Sequence, residues 1–301
     1  MAVNKIIKLV THDGSFHTDD VFAAAALSIM FEKEGIEFEI IRTRDEEIIK
    51  SADYVFDVGG IYDEGTNRFD HHQVGGAGIH KGEIGFSSFG LVWKKFGVKI
   101  SGSDKSAQFL DNKLALPIDA WDNGYDLVQN NLPDTSPVYI QHLFFAMQPT
   151  WREEDLNIDE MFFKSVAIAK EFLNREIIQA NDALLAEEAV MDAYNNTKDK
   201  RIIVLEKNYP AQHVLQEFPE PLFVIYPRRT NNYWGVKAMR EDPKTFKNKK
   251  NLPVTWGSLK DEELQKVTGV PDAVFCHKGL FLAVAKTKEG AIKLAGVALE
   301  S

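Results

Sequence analysis

The sequence contains a single cysteine, no long apolar run and an excess of negative charge. Cys276 alone cannot form an intramolecular disulfide, and the N-terminal segment is typical of a strand rather than of a signal peptide. No run approaches the roughly 18 apolar residues that cross a bilayer. We therefore expect a cytoplasmic protein without a membrane partner, with an organellar location left open. The net charge of −10 argues against a general attraction to nucleic acid.

The hydrophobic pattern predicts two domains of different architecture. In the first half, strands at residues 5–10, 38–42 and 54–58 alternate with helical segments, which favours an α/β fold with a largely parallel sheet and helices on both faces. A helical pattern without proline or glycine runs from 158 to about 195. The second half predicts a smaller α+β domain, with strands at 222–226, 233–239, 273–276 and 280–283 and a final helix at 289–299. We expect a catalytic domain at 1–195 and a substrate-binding domain at 196–301.

Two polar clusters follow predicted strands in the first half. One runs from His12 to Asp20, and the other comprises Asp57 and the triplet Asp70-His71-His72. Because open α/β sheets bind ligands beyond the carboxyl ends of their strands, we expect both clusters at one edge of the sheet. A site with two divalent cations needs a bridging carboxylate and several terminal ligands. Mixed imidazole and carboxylate ligands favour manganese, with magnesium as the second choice.

Other segments have both a functional and a purely structural interpretation. Asp119 and Asp122 share one face of a predicted helix and can supply a further metal ligand or cap the helix. Ser87-Ser88 precede another helix, whose free amides can receive a phosphate or be capped by the serines. His80 follows a glycine-rich loop and either contacts substrate or lies exposed.

The segment from 226 to 250 is locally basic and contains Tyr233 and Trp234. It is typical either of a surface that binds substrate phosphates and stacks a base, or of a solvated hairpin with Trp234 in the core. His277 follows a predicted strand and can meet a phosphate, whereas Cys276 is expected to act as a small core residue.

Several strings in the chain form a set that matches a known pattern. They are His12-Asp-Gly-Ser-Phe-His17-Thr-Asp19-Asp20, Arg42-Thr-Arg44-Asp45, Asp57-Val-Gly-Gly, Arg68-Phe-Asp70-His71-His72-Gln73, Ser87-Ser-Phe-Gly-Leu-Val-Trp93 and Asp119-Ala-Trp-Asp122-Asn123-Gly124. This set resembles the DHH phosphoesterase superfamily, whose members hydrolyse phosphate esters or anhydrides with two metals. It is similar in detail to the Myg-type branch, known as metal-dependent exonucleases acting on RNA. Later strings around Trp256 and Cys276-His277-Lys278-Gly279 extend the resemblance over nearly the whole chain.

The resemblance implies roles for individual residues. It implies Asp122, ahead of Asp119, as the last metal ligand, and we expect Asp57 to bridge the metals. The implied ligand set is His12, His17, Asp19, Asp57, Asp70, His71, His72 and Asp122. Of these, Asp57, Asp70, His71 and His72 are the candidate catalytic residues, and either histidine can contact the scissile phosphate or leaving oxygen instead of a metal. The candidate substrate-binding residues are Arg42, Arg44, Gln73, His80, Arg228, Arg229, Trp234, Lys237, Arg240, His277 and Lys278.

The chain departs from the broader superfamily at two places. His17 stands one position later than the first aspartate of the common first motif, which leaves metal identity and ligand order open. Cys276-His277-Lys278-Gly279 replaces the Gly-Gly-Gly-His string of many members, so substrate recognition is not transferred directly.

The expected function is that of a two-metal phosphodiesterase in which metal-activated water attacks phosphorus. The resemblance further implies an exoribonuclease that trims RNA from the 3′ end. One alternative is a hydrolase of small phosphoesters or phosphoanhydrides such as short oligonucleotides, cyclic dinucleotides or pyrophosphate. Another is an RNA-binding protein that retains the metal fold without turnover. The sequence predicts no oligomeric state.

Overall fold

The structure is a computed structural model that describes residues 5–129 and 132–301. The chain divides into two compact units, the first ending at Asn181 and the second running from Asp182 to Ser301. Among the described residues, no helix combines the length and the apolar character needed to cross a membrane.

Unit 1 alternates strands and helices from its start. Its elements are β1 Ile7–Thr11, α1 Thr18–Glu34, β2 Phe38–Arg42, α2 Glu46–Ser51, β3 Tyr54–Phe56, β4 Tyr62–Asp63, β5 Arg68–Phe69, β6 Ile79–Lys81, β7 Ile84–Gly85, α3 Ser88–Ser101, α4 Asp104–Leu110, α5 Leu116–Asp122, α6 Ile140–Met147 and α7 Ile158–Asn196. The unit boundary falls inside α7, whose C-terminal residues Val190 and Tyr194 belong to a core cluster of unit 2.

The main sheet of unit 1 has the order β2-β1-β3-β5-β4, and all neighbouring pairs are parallel except β4 with β5. Leu9 of β1 joins the core cluster that contains α1 and α3, whereas Val10 packs with Ile48 and Ile49 of α2. Successive side chains of a strand point to opposite faces, so helices cover both faces of the sheet. This confirms the predicted α/β class.

Helix α1 is the central element of unit 1. It is buried from Thr18 to Phe31, and its tetra-alanine segment allows close packing against α3. The helix is N-capped by His17 and ends at Gly35, whose φ of +65° forms a left-handed C-cap.

Strand β3 is shorter than predicted. It ends at Phe56 rather than at residue 58, because Asp57 adopts a left-handed conformation with φ of +55°, which extended pairing cannot continue. The departure from the strand occurs at a predicted metal ligand.

Unit 2 is an α+β structure, as predicted. Its elements after α7 are β8 Ile202–Val204, α8 Gln212–Leu215, β9 Phe223–Pro227, β10 Trp234–Ala238, α9 Asp261–Thr268, β11 Ala273–Cys276, β12 Leu282–Ala285 and α10 Lys288–Glu300. The sheet order is β11-β12-β10-β9-β8, with only β8 and β9 parallel. Cys276 is buried in the core cluster with Trp256, and its burial raises the pKa of the thiol to about 11.

The predicted strand at 280–283 lies two residues too early. Leu280 has a φ of +58°, and its N–H donates to the carbonyl of His277 at 2.9 Å, which closes a tight turn before β12 begins. A leucine is rarely placed in a left-handed turn, so its apolar side chain made the segment resemble the start of a strand.

Candidate metal centre

Three neighbouring parallel strands deliver polar residues to one edge of the sheet. His12 follows β1, Asp57 follows β3 and Asp70 follows β5. Helix α1 begins just beyond this edge and adds His17 and Asp19. The carboxyl ends of parallel strands therefore gather the two clusters that lie far apart in the sequence, as expected for a ligand site of an open α/β sheet.

The ligand atoms form three overlapping groups. Within each group, atoms that could hold a cation lie within 4.8 Å of one another. The groups are Asp57, Asp70, His71 and His72; His12, His17 and Asp57; and Asp19, His71 and Asp122. Together they contain all eight residues of the predicted ligand set. Asp57 and His71 each belong to two groups, an overlap that suits two cations sharing a ligand.

Asp57 lies at the centre of the cluster and is 3% exposed. Its Oδ2 lies 3.2 Å from His12 Nε2, while its Oδ1 lies 3.2 Å from His71 Nε2 and 3.5 Å from His72 Nδ1. Each carboxylate oxygen thus faces a different part of the cluster. This is the arrangement that a bridging carboxylate requires.

Asp70 shapes the Asp-His-His turn. Its Oδ1 accepts from the backbone N–H groups of His71 at 2.8 Å and His72 at 3.2 Å, and its Oδ2 accepts from the N–H of Gly60 at 2.5 Å. The Nδ1 atom of His72 also lies 2.8 Å from Asp70 Oδ1. Asp70 therefore fixes both the backbone of the turn and the ring of His72, whose side chain is 62% exposed.

Asp19 carries a buried oxygen that the protein leaves unsatisfied. Its Oδ2 accepts from the Ser88 hydroxyl at 2.8 Å and from the Ser88 N–H at 3.2 Å, but Oδ1 has no hydrogen-bond partner among the described residues. A buried carboxylate oxygen without a partner is costly. A divalent cation would satisfy it, and imidazole and carboxylate groups are both ligands of such cations.

The electrostatics of the cluster also fit a cation site. Burial and the nearby charges of Asp57 and Asp122 raise the pKa of Asp19 well above its ordinary value. Burial raises the pKa of Asp122 to about 6, although the charge of His71 opposes this shift. Crowded buried carboxylates resist ionisation, and bound cations remove that repulsion.

The histidines partly compensate this negative charge. Burial by itself lowers the pKa of His12, but hydrogen bonds with Asp20 and Asp57 overcome it and raise the pKa to about 10. Burial by itself raises the pKa of Asp57, but hydrogen bonds with His12 and His71 outweigh it and hold this pKa below the usual range. Asp20, which the ligand set omits, lies 3.3 Å from His12 Nε2. The other ring nitrogen, Nδ1, lies 2.9 Å from the Asp13 carbonyl oxygen, a contact that orients the ring.

Asp119 and Asp122 serve different neighbours although both lie on α5. Asp122 Oδ2 lies 3.5 Å from His71 Nε2, whereas Asp119 is buried away from the three ligand groups. Asp119 accepts from the Ser87 hydroxyl and lies 2.5 Å from His80 Nδ1. A Cβ at position 90 would collide with Asp119 Oδ2, so Gly90 provides the space that this carboxylate occupies.

The two serines at the start of α3 are engaged by aspartates of other helices. Ser87 makes no side-chain cap of its own helix but donates its hydroxyl to Asp119. The N–H of Ser88 is directed to the Asp19 carboxylate, so it is not free for a phosphate. A carboxylate at a helix N-terminus is favoured by the helix dipole. The two serines thus hold aspartates from α1 and α5.

The other candidate residues of unit 1 differ in exposure and in their contacts. Arg44 is 66% exposed and lines an open cavity of about 720 Å³ together with His12, His17, Asp57 and His72. Arg42 is buried instead, donating to the Gly14 carbonyl at 2.6 Å and to Asp159. Arg42 therefore stabilises the loop between His12 and His17 without lining the cavity.

Two further candidates in unit 1 make internal contacts. Gln73 donates to the Gly76 carbonyl at 2.9 Å within its own loop. His80 is neither exposed nor part of the three ligand groups: its side chain is 7% exposed, with Nε2 lying 2.9 Å from Asp111 Oδ2 and Nδ1 facing Asp119. Burial opposes the charge of His80, but both carboxylates outweigh it and raise the pKa to about 9.

In unit 2, Arg228 and Arg229 line a cavity of about 680 Å³ with Tyr209 and Pro210. Trp234 lies half-buried against the core, and Lys288 Nζ lies 5.4 Å from its ring. The predicted hairpin is formed by β9 and β10.

The remaining candidates of unit 2 differ in exposure. Lys237 is exposed on β10, and Lys278 is exposed in the turn between β11 and β12. The Arg240 guanidinium lies 4.9 Å from the Phe246 ring. His277 Nδ1 accepts from the Gly279 N–H at 3.0 Å.

We expect Ser88→Ala to weaken manganese binding by about 10- to 100-fold, because supporting hydrogen bonds orient a metal ligand and limit its freedom. Isothermal titration calorimetry with Mn²⁺ measures the effect. Ser101→Ala is the matched control, since Ser101 is a buried serine of the same helix that donates only to carbonyls. Equal affinities of the Ser88 variant and the wild type would contradict the supporting role.

The His80 contacts predict a pH-dependent stability. Because the folded pKa of about 9 lies above the ordinary value of 6.5, the stabilisation is fully present below pH 6.5 and is lost as the pH rises through 9. His80→Asn should therefore cost roughly 2 kcal/mol more at pH 6 than at pH 9.5. Denaturant unfolding with EDTA at both pH values measures this difference. A cost that is the same at both would show that His80 is neutral in the folded protein.

Comparison with known proteins gives a consistent family assignment. Residues 8–299 match the MYG1 exonuclease family, described as an uncharacterised protein family (UPF0160). The human MYG1 exonuclease is 29% identical over an alignment that covers 97% of this chain and 85% of the human protein. A MYG1 protein of Chlamydia muridarum is 31% identical over 289 residues, covering 93% of this chain and 92% of that protein.

The structural comparison is much weaker. RecJ from Thermus thermophilus, solved in complex with Mn²⁺, shares 11% sequence identity with a TM-score of 0.29, covering 98% of this chain and 52% of RecJ. A likeness of this size carries no argument about function. The match over nearly the full length and the bacterial relative above 30% identity are sufficient, and the chain belongs to the MYG1 exonuclease family.

Proposed function

We propose that the protein is a metal-dependent phosphodiesterase that trims RNA from the 3′ end. The observation that carries this proposal is the set of three ligand groups that overlap at Asp57 and His71. Membership of the MYG1 exonuclease family supports a metal-dependent nuclease or phosphoesterase, and the human relative is named an exonuclease. RNA as the substrate, the 3′ polarity and the use of two ions are parts of the proposal.

The ligand groups suggest how two ions are held. His12, His17 and Asp57 would hold one ion, and Asp19, His71 and Asp122 the other. We propose that Asp57 also reaches the second ion, because its Oδ1 lies 3.2 Å from His71 Nε2. We propose manganese ahead of magnesium because imidazoles are mixed with carboxylates. When bound, the two ions would polarise the phosphodiester and acidify an attacking water. The chain then needs no nucleophile of its own.

His72 is our candidate for protonating the leaving oxygen. It is the most exposed residue of the Asp-His-His triplet, and its Nδ1 lies 2.8 Å from Asp70 Oδ1. Because Asp70 engages Nδ1 and fixes the ring, Nε2 is the atom from which a proton would pass. Asp70 is thereby a positioning residue for both the turn and this ring.

Phosphate groups next to the scissile bond would be bound by Arg44. It is the exposed arginine of the cavity that contains His12, Asp57 and His72, and Asp13 is its nearest carboxylate partner, at 3.2 Å. In unit 2, Arg228 and Arg229 line a second cavity and would bind the RNA backbone elsewhere. Trp234, Lys237, Arg240, His277 and Lys278 remain proposed contacts of the same unit.

The central test is hydrolysis of end-labelled RNA by metal-stripped protein supplied with manganese, magnesium or no metal. We expect manganese-dependent shortening of 5′-labelled RNA and release of mononucleotides from 3′-labelled RNA. Asp57→Ala and His71→Ala should each lower the rate by at least about 100-fold, because changes outside the ligand shell alone cost 10- to 100-fold. His213→Ala, a partly exposed histidine of unit 2, is the control.

Other products would favour the alternative functions. Cleavage confined to dinucleotides or pyrophosphate would indicate a hydrolase of small phosphoesters. RNA binding by metal-loaded protein without any product would indicate a binding protein without turnover. Either result contradicts the exoribonuclease proposal.

The role of unit 2 is tested by charge reversal. Arg228→Glu combined with Arg229→Glu should weaken RNA binding and reduce the slope of log affinity against log salt by about 2, one for each lost phosphate contact. Lys266→Glu with Lys293→Glu is the control, since both lysines are exposed on helices of the same unit. An unchanged salt slope in the arginine variant would exclude these arginines from the RNA contacts.

A further inference from the structure

A smaller cavity of unit 1, of about 220 Å³, adjoins the metal centre. Its polar lining includes three residues of the ligand set, His17, Asp19 and Asp122. The remaining lining consists of Thr18, Ile118, Trp121 and Phe145. The chemistry proposed above uses none of these four residues. Their position beside the ligands therefore calls for a separate explanation.

The two aromatic side chains come from different helices. Trp121 directly precedes Asp122 at the end of α5, and its ring centroid lies 4.8 Å from that of Tyr139 and 5.4 Å from that of His142. These contacts fix the orientation of the indole. Phe145 of α6 is 41% exposed and meets the His17 ring edge-on at 6.3 Å. Aromatic rings thus form an accessible wall beside charged side chains.

Thr18 adds an independent observation. The residue is 4% exposed and lines the cavity, and its Oγ1 atom has no hydrogen-bond partner among the described residues. Buried hydroxyl groups are normally satisfied, because leaving one unpaired costs free energy. An unpaired hydroxyl on a residue that lines an aromatic pocket suits a ligand that is both planar and polar at its edge.

We propose that this pocket binds the terminal nucleoside of the RNA, with its base against Trp121 and Phe145 and with Thr18 donating a hydrogen bond to it. The inference rests on the proposed function, since it places the scissile phosphate at the ion that Asp19 and Asp122 would help to hold. Bases stack on aromatic side chains with little dependence on sequence. The volume is below that of pockets for drug-sized ligands, which suits a single ring system.

The position of His17 supports the same arrangement. His17 borders this pocket and also the larger cavity that contains Asp57 and Arg44. A nucleotide whose base occupies the smaller cavity can therefore direct its phosphate to the metal ligands and the following phosphate towards Arg44. The base would then contact the aromatic wall, the reacting phosphate would lie at the ligand cluster, and the next phosphate would lie near the Arg44 guanidinium.

The test compares AMP with ribose 5-phosphate, which differs from it only by lacking the base. Calorimetry with manganese-loaded wild type should show AMP binding about tenfold tighter or more. Trp121→Ala and Phe145→Ala should abolish most of this preference while leaving ribose 5-phosphate and Mn²⁺ affinities unchanged, and Trp121→Phe should retain it. Thr18→Val should weaken AMP binding severalfold.

Matched controls are available outside the pocket. Trp151 is 81% exposed and Phe109 is 45% exposed, and neither lines the cavity, so Trp151→Ala and Phe109→Ala should keep the full preference. If Trp121→Ala does not fold, Phe145→Ala carries the same comparison from a different helix. Equal affinity of the wild type for both ligands, or an unchanged preference in Phe145→Ala, overturns the proposal.

The binding test does not depend on turnover. A preference for AMP in a protein that hydrolyses no RNA would contradict the exonuclease proposal and still support a nucleoside pocket. Conversely, RNA hydrolysis that is equally fast when the terminal nucleotide is abasic would retain the enzyme and overturn the pocket. The two failures are therefore distinguishable.

Discussion

The structure depends on holding several buried carboxylates close together at one edge of a parallel sheet. Asp19, Asp57 and Asp122 lie around His71, and burial together with mutual repulsion raises the pKa of Asp19 and Asp122. Such a cluster is unfavourable unless positive charge compensates it. The histidines supply part of that charge, and a pair of divalent cations would supply the remainder.

The fold provides this arrangement through strands and helix termini rather than through a single motif. Strands β1, β3 and β5 end side by side, and the left-handed backbone of Asp57 stops β3 at the point where both of its oxygens face histidines. At the start of α3, Ser87 and Ser88 hold two aspartates from other helices. Residues outside the ligand set thus determine where the ligands lie.

The architecture could be predicted from the sequence, and the members of the cluster were implied by the family resemblance. Alternating strands and helices predict a parallel sheet, and residues that follow adjacent parallel strands must meet at one edge, as His12, Asp57 and Asp70 do. The pairing of Asp119 with His80 could not be predicted from the helix pattern, because two aspartates three residues apart on a helix share one face until strand β6, which carries His80, is placed. The early placement of β12 has a similar cause, since a left-handed leucine leaves no sequence signal.

The burial of Arg42 could not be predicted from the sequence either. The resemblance implied that Arg42 contacts substrate, yet its guanidinium lies 4.5 Å from the Phe162 ring and supports the His12 loop through Gly14. The partners of a charged side chain come from distant segments, in this case from α7. Arg44, which is exposed beside the ligands, is left as the phosphate-binding candidate of that segment.

The central claim is that Asp57 bridges two cations. The most direct measurement is X-ray diffraction from crystals grown with manganese, recorded at the manganese absorption edge. The account predicts two anomalous peaks about 3.5–4 Å apart, each in contact with one oxygen of Asp57. A single peak, or two peaks that do not both contact Asp57, would contradict it.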